Sequence, residues 1–142
     1  MADLPRPIDL LAHRPPFLLV DELISLDPGQ GATGRWTLTG DEWFFPGHFP
    51  GRPTLPGVLM CESIAQVGTC ALLANPEFSG RLPLFGGLDG ARFRRQVVPG
   101  DDLIVSVELG RRSARAGKGT GTAMVGDDVA VRCELMFVFA DA

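Results

Sequence analysis

The stretch FFPGHFPGRPTLPG, positions 44–57, encloses His48, one of only two histidines, among four prolines and three glycines. So many prolines leave too few N–H donors and too little freedom in φ for a helix or a paired strand. The segment reads as a loop of low backbone freedom that holds an imidazole in one place. Imidazole is the side chain best suited to move a proton near neutral pH. Fourteen residues on, Glu62 stands in the apolar run VLMCESIAQVGTCALLA, between Cys61 and Ser63 and close to Leu59, Met60, Ile64 and Ala65. A carboxylate there is costly to keep ionised and unpaired, which suits it to hold a proton and give it up. Gly57 opens the same run as the first residue of a helix, so its N–H and that of Val58 lack an intrahelical partner. Free N–H groups at a positive helix end can hold a carbonyl oxygen that gains charge. A base, an acid and an oxyanion donor within this short span fit proton abstraction next to a carbonyl.

Blander chemistry competes with this reading. Glu62, Gln66 and Thr69 fall on one helical stripe, and a buried structural network would also explain them. Cys61 with His48 as base would make a nucleophile, but neighbouring helix positions point about 100° apart and nothing evident orients the pair. Two histidines without ligand spacing argue against catalytic zinc, and no dinucleotide fingerprint opens a helix after a strand. The run GRRSARAGKGT at 110–120 imitates a phosphate loop but has the wrong glycine spacing and lacks the Ser or Thr after Lys118.

These residues need elements to position them. The run 57–75 is the best helix, free of internal proline and stopped by Asn75-Pro76. It is apolar or small on nearly every face, which predicts a buried helix. A short helix is expected at 7–12. Strands are expected at 17–26, 32–40, 82–93, 102–110, 119–126 and 129–139, with reversals at 27–31 and 126–128 and a Pro-Gly turn within 97–103. Several strands and one long buried helix predict an α+β domain over residues 1–142, its antiparallel sheet wrapped around the helix.

Composition narrows the function. The chain of 142 residues carries a net charge of −4, which disfavours non-specific nucleic-acid binding. No apolar run is long enough for a membrane span, and the first residues lack a signal peptide's pattern, so a cytosolic protein is expected. Three cysteines without a C-x-x-C spacing fit buried free thiols. The charge is uneven: Arg92, Arg94, Arg95, Arg111, Arg112, Arg115 and Lys118 face only three acidic residues between positions 92 and 118. Such a basic segment is either a solvated face or a docking patch for an acidic partner.

The motifs LLAHRPPFLLVDEL, FFPGHFPGRPTLPGVLMCESIAQ and GLDGARFRRQVVPGDDL closely resemble the 3-hydroxyacyl-[acyl carrier protein] dehydratases of the FabZ type. The block G-H-F-P-G-x-P-x-x-P-G-V-L followed by E-x-x-A-Q is specific to them. The resemblance implies a hot-dog fold and a dimer with active sites at its interface, often assembled as a trimer of dimers. It makes His48 the catalytic base and Glu62 of the opposite subunit the catalytic acid. Gly57, with Val58, would meet the thioester carbonyl, and Gln66 and Phe49 would support the site. The implied substrate is a hydroxyacyl thioester on acyl carrier protein, the implied product a trans-2-enoyl thioester, and no cofactor is required. The basic segment would meet the carrier, and Leu84 lies where relatives place an aromatic tunnel gate. Family members can hold a cis bond near the His-Phe step. Pro16, Glu22 and Ser63 depart from the usual pattern. A hot-dog thioesterase and a non-catalytic carrier-binding subunit are the alternatives.

Overall fold

A computed structural model describes residues 3–140. The expected helix forms as α2, Gly57–Leu73, after a four-residue turn of helix α1, Pro7–Leu10. Six strands follow the order expected from the sequence: β1 (Glu22–Asp27), β2 (Gly31–Thr37), β3 (Pro83–Phe93), β4 (Asp102–Arg112), β5 (Ala116–Val125) and β6 (Asp128–Phe139). They make one antiparallel sheet in the order β1-β2-β4-β5-β6-β3, which wraps α2 on one face. Both β1 and β3 are edges. No helix among the described residues is long and apolar enough to cross a membrane.

The inner face of the sheet explains how close the helix lies. Leu103, Val105 and Val107 of β4 and Val131, Cys133 and Leu135 of β6 point inward and are buried. On β5 the inward positions are instead small: Gly117, Gly119, Gly121 and Ala123. A Cβ on Gly121 would stand only 2.2 Å from Ile64 Cγ2. On the helix side, a Cβ on Gly68 would meet Val107 at 3.1 Å. Missing side chains on both surfaces let α2 settle against the sheet with Ile64, Val67, Cys70, Ala71 and Leu72 sealed from water. Each larger apolar residue so buried is worth about 1.5–3 kcal/mol.

Several boundaries differ from expectation for identifiable reasons. Helix α2 stops at Leu73 rather than 75, because Asn75 precedes Pro76 and is biased away from helical ψ. Strand β1 begins at Glu22, not at Phe17. The backbone of Leu19 meets side chains of α2 in place of a strand partner: its N–H donates to Gln66 Oε1 and its carbonyl accepts from Ser63 Oγ. Strand β5 starts three residues earlier than expected and β4 runs two further, leaving a tight tip at 113–115. Glu22 forms an ion pair with Arg35 across β1 and β2. All three cysteines are free and buried.

The close seating of α2 is testable. Gly121→Ala should cost about 1–3 kcal/mol by overpacking and lower the melting temperature by several degrees. Gly47→Ala, which enters open space, should shift stability by no more than about 0.5 kcal/mol. Equal melting temperatures for the two variants would contradict the packing described.

Candidate functional site

His48 follows a short 3-10 turn, Phe45–Gly47, and its loop is closed by its own backbone. Thr54 N–H donates to His48 O at 2.8 Å, and Phe49 and Arg52 exchange hydrogen bonds at 3.0 and 2.8 Å. The His48–Phe49 peptide bond is cis, as is Pro15–Pro16. The Phe49 ring stacks on the imidazole with centroids 4.0 Å apart. His48 Nδ1 lies 2.7 Å from Thr54 O. A carbonyl oxygen only accepts, so Nδ1 carries the proton and the neutral ring presents the lone pair of Nε2. That is the form a general base needs.

The loop is joined to the start of α2 and to the segment after β3. Leu55 N–H donates to Val97 O, and Gln96 Nε2 donates to Thr54 Oγ1. Pro56 is the N-cap of α2 and offers no side-chain cap. The N–H groups of Gly57 and Val58 make no hydrogen bond to any described group. Gly57 could carry no side chain without a clash: its Cβ would come within 3.0 Å of three atoms of the Phe93 ring. Val58 is 69% exposed.

Glu62 is not sealed in the core as its neighbours in sequence suggested. Its side chain keeps 20% exposure, because Val58, Glu62, Ala65 and Thr69 make one stripe of α2 that the sheet does not fully cover. A cavity of about 100 Å³ opens beside this stripe, lined by Glu62, Ala65, Thr69, Leu84, Phe85 and Phe137 among others. Gln66 is fully buried and donates from Nε2 to Glu62 Oε2 at 3.0 Å. Thr69 shares the cavity but not that hydrogen-bond network, since its hydroxyl donates back to Ala65 O.

The structure thus gives His48 and Glu62 separate surroundings. His48 touches Thr54 and Phe49, while Glu62 touches Gln66 and His13, whose Nε2 is 3.5 Å from Glu62 Oε2. No described contact joins His48 to Glu62 within the chain. His13 escaped the sequence reading. Its only signal was its place in the LLAHRPPF motif, and nothing local marks it as lying beside residue 62. Cys61 is 2% exposed and meets Cys133 rather than His48. Hydrogen bonding to Cys61 and burial push the Cys133 thiol up, and burial pushes Cys70 up to about 12. All three are free thiols buried in the packing.

The basic segment, read as one patch, divides in two. Arg92 is level with Arg132 on β6, which is level with Thr122 on β5, whereas Arg112 is level with Gly117. Five residues of strand, roughly 17 Å, separate those levels. Arg92, Arg94 and Arg95 sit at one end of the sheet, where Arg94 N–H reaches Ala130 O. Arg111, Arg112, Arg115 and Lys118 sit towards the other. They are near in sequence because only β4 lies between them, and it runs the length of the sheet. Arg95 is already paired with Asp101 and Asp128 at 3.7 and 2.8 Å, whereas Arg94 and Arg132 border the same depression without an ion-pair partner among the described residues.

The histidine geometry gives a direct spectroscopic expectation. In long-range ¹⁵N–¹H spectra, neutral His48 should show the Nδ1–H tautomer, and Thr54 should be insensitive to replacement by Ser because the acceptor is its backbone. A neutral Nε2–H tautomer would contradict the geometry.

Comparison with known proteins agrees with this architecture. The model of the FabA-like domain family matches residues 11–134. A 3-hydroxyacyl-[acyl-carrier-protein] dehydratase FabZ from Moorella thermoacetica is 52% identical over 132 residues, covering 93% of this chain and 92% of the relative. Another, from Pelotomaculum thermopropionicum, is 48% identical over 137 residues, covering 96% and 98%. Among solved structures, the dehydratase heterocomplex ApeI:P from Xenorhabdus doucetiae superposes with a TM-score of 0.81 at 20% identity, over 96% of this chain and 92% of that one. That likeness shows the shared hot-dog fold. With the family model spanning most of the sequence and relatives about half identical along nearly all of it, this protein belongs to the FabA-like family of hot-dog proteins.

Proposed function

We propose that this protein is a 3-hydroxyacyl-[acyl carrier protein] dehydratase of the FabZ type, acting as one catalytic domain. The observation that carries the reading is the hydrogen bond from His48 Nδ1 to Thr54 O, which leaves Nε2 free as a base. In the reaction, His48 Nε2 takes the C2 proton of the hydroxyacyl thioester. The electron pair moves toward the thioester carbonyl, whose oxygen is met by the N–H groups of Gly57 and Val58. The C2–C3 double bond forms as the C3–O bond breaks, and Glu62 gives a proton to the departing hydroxyl, which leaves as water. No step calls for a cofactor.

The two half-sites come together across a dimer. The free edge of β3 carries Leu84, Phe85, Leu88 and Phe93, all substantially exposed. An exposed apolar edge strand beside a half-open catalytic stripe supports pairing with a second copy about a two-fold axis. His48 of one copy then works with Glu62 of the other, and the acyl chain enters the cavity beside Thr69 and Leu84.

The division of the basic residues supports docking of the acidic carrier at Arg94 and Arg132. That cluster lies at the end of the sheet where Gln96 and Val97 hold the His48 loop. Arg111, Arg112 and Arg115 are too far along the strands to share the contact.

Two experiments test this. His48→Ala and Glu62→Gln should each lower turnover of a 3-hydroxyacyl thioester by about 10²–10⁴-fold while the dimer survives. Retained turnover in either, or release of free thiol instead of an enoyl product, would overturn the assignment. Arg94→Glu with Arg132→Glu should raise KM for carrier-bound substrate and leave KM for a pantetheine thioester unchanged. Equal effects on both substrates would refute docking there.

A further inference from the structure

His13 lies in the strap between α1 and β1, which crosses the face of α2. The strap is held down by the helix itself: Gln66 takes Leu19 N–H at 2.7 Å and gives to Phe17 O at 2.9 Å, and Ser63 Oγ gives to Leu19 O at 2.8 Å. Those contacts fix the orientation of the Gln66 amide, because its oxygen must face an N–H and its nitrogen a carbonyl. Arg14 braces the turn just before the strap reaches the helix, giving Nη1–H to Leu11 O and His13 O at 2.8 and 2.7 Å. The imidazole of His13 is thereby carried to Glu62, and both residues line the same cavity.

Two features of this ring call for a role. Its Nδ1 is buried and has no hydrogen-bond partner, a state that native structures rarely retain without one. Its Nε2 faces a carboxylate oxygen at 3.5 Å. Against a carboxyl oxygen that carries no proton and so only accepts, that nitrogen must be the protonated one. Gln66 Nε2 points at the same oxygen. Both donors therefore converge on Oε2, and no described group donates to Oε1.

We propose that His13 is a positioning residue for Glu62: with Gln66 it holds Oε2, so that Oε1 is the oxygen turned to the reacting hydroxyl and the one that carries the transferred proton. The separation of 3.5 Å is longer than a settled N–H···O bond, so this role requires it to shorten in the reacting complex. This rests on Glu62 being the acid of the elimination proposed above.

Asparagine and glutamine separate the role from mere packing. A glutamine amide nitrogen reaches the position of Nε2, whereas an asparagine nitrogen reaches only that of Nδ1. His13→Gln should keep kcat within about threefold of the parent, while His13→Asn should lose about 10- to 100-fold in kcat with little change in KM. Both variants are polar and of similar bulk, so a merely structural role would affect them alike. Equal kcat for the two, or a loss confined to KM, overturns the proposal. Glu62→Gln is measured alongside. If it is inactive, the acid assignment stands and the Asn–Gln comparison decides the role of His13. If it is fully active, the acid assignment falls, and the role of His13 falls with it.

Discussion

One buried amide ties α2 to the chain that precedes the sheet. Gln66 has no exposed surface, yet its side chain meets Leu19 N–H, Phe17 O and Glu62 Oε2. Leaving any of those groups unpaired in this interior would cost about 1–3 kcal/mol. The amide therefore fixes the strap on the helix, fixes one oxygen of Glu62, and keeps residues 17–20 out of the sheet. The glycine-lined face of β5 does the complementary job below, letting α2 sit low enough for Gln66 to be enclosed. The position of Glu62 follows from both.

His48 is positioned by different means. His48 depends on its own loop, on the carbonyl of Thr54 and on a stacked Phe49. Nothing in that loop depends on the Glu62 network. Independent supports, a proline-fixed loop for His48 and a half-open helix stripe for Glu62, are compatible with the proposed site shared between two copies. Each copy must hold its own half ready before the other arrives.

Much of this was legible in the sequence, for physical reasons that differ by residue. The helix was plain from an apolar run ended by Asn75-Pro76. His48 stood out because prolines restrict the backbone around it. The sequence was less informative where a side chain replaced a backbone partner. Residues 17–20 have the composition of a strand, but Gln66 and Ser63, more than forty positions away, take the backbone groups of Leu19. Glu62 looked fully buried because periodicity reveals how apolar a helix is, not which stripe the sheet leaves uncovered. The basic segment looked continuous because distance along a long strand is invisible in a count of charges. His13 was missed for the same reason as the strap: its partner lies far along the chain.

The central claim is that His48 and Glu62 act across two copies of the chain. Complementation tests it most directly. His48→Ala and Glu62→Ala subunits, each inactive alone, are mixed, exchanged and assayed for dehydration. A shared site predicts recovery. Half of randomly exchanged dimers are mixed, and each mixed dimer has one site with both residues intact, so activity should return to about a quarter of the parent level. If the mixture stays as inactive as its components while exchange is verified, the two residues act within one chain and the account is wrong.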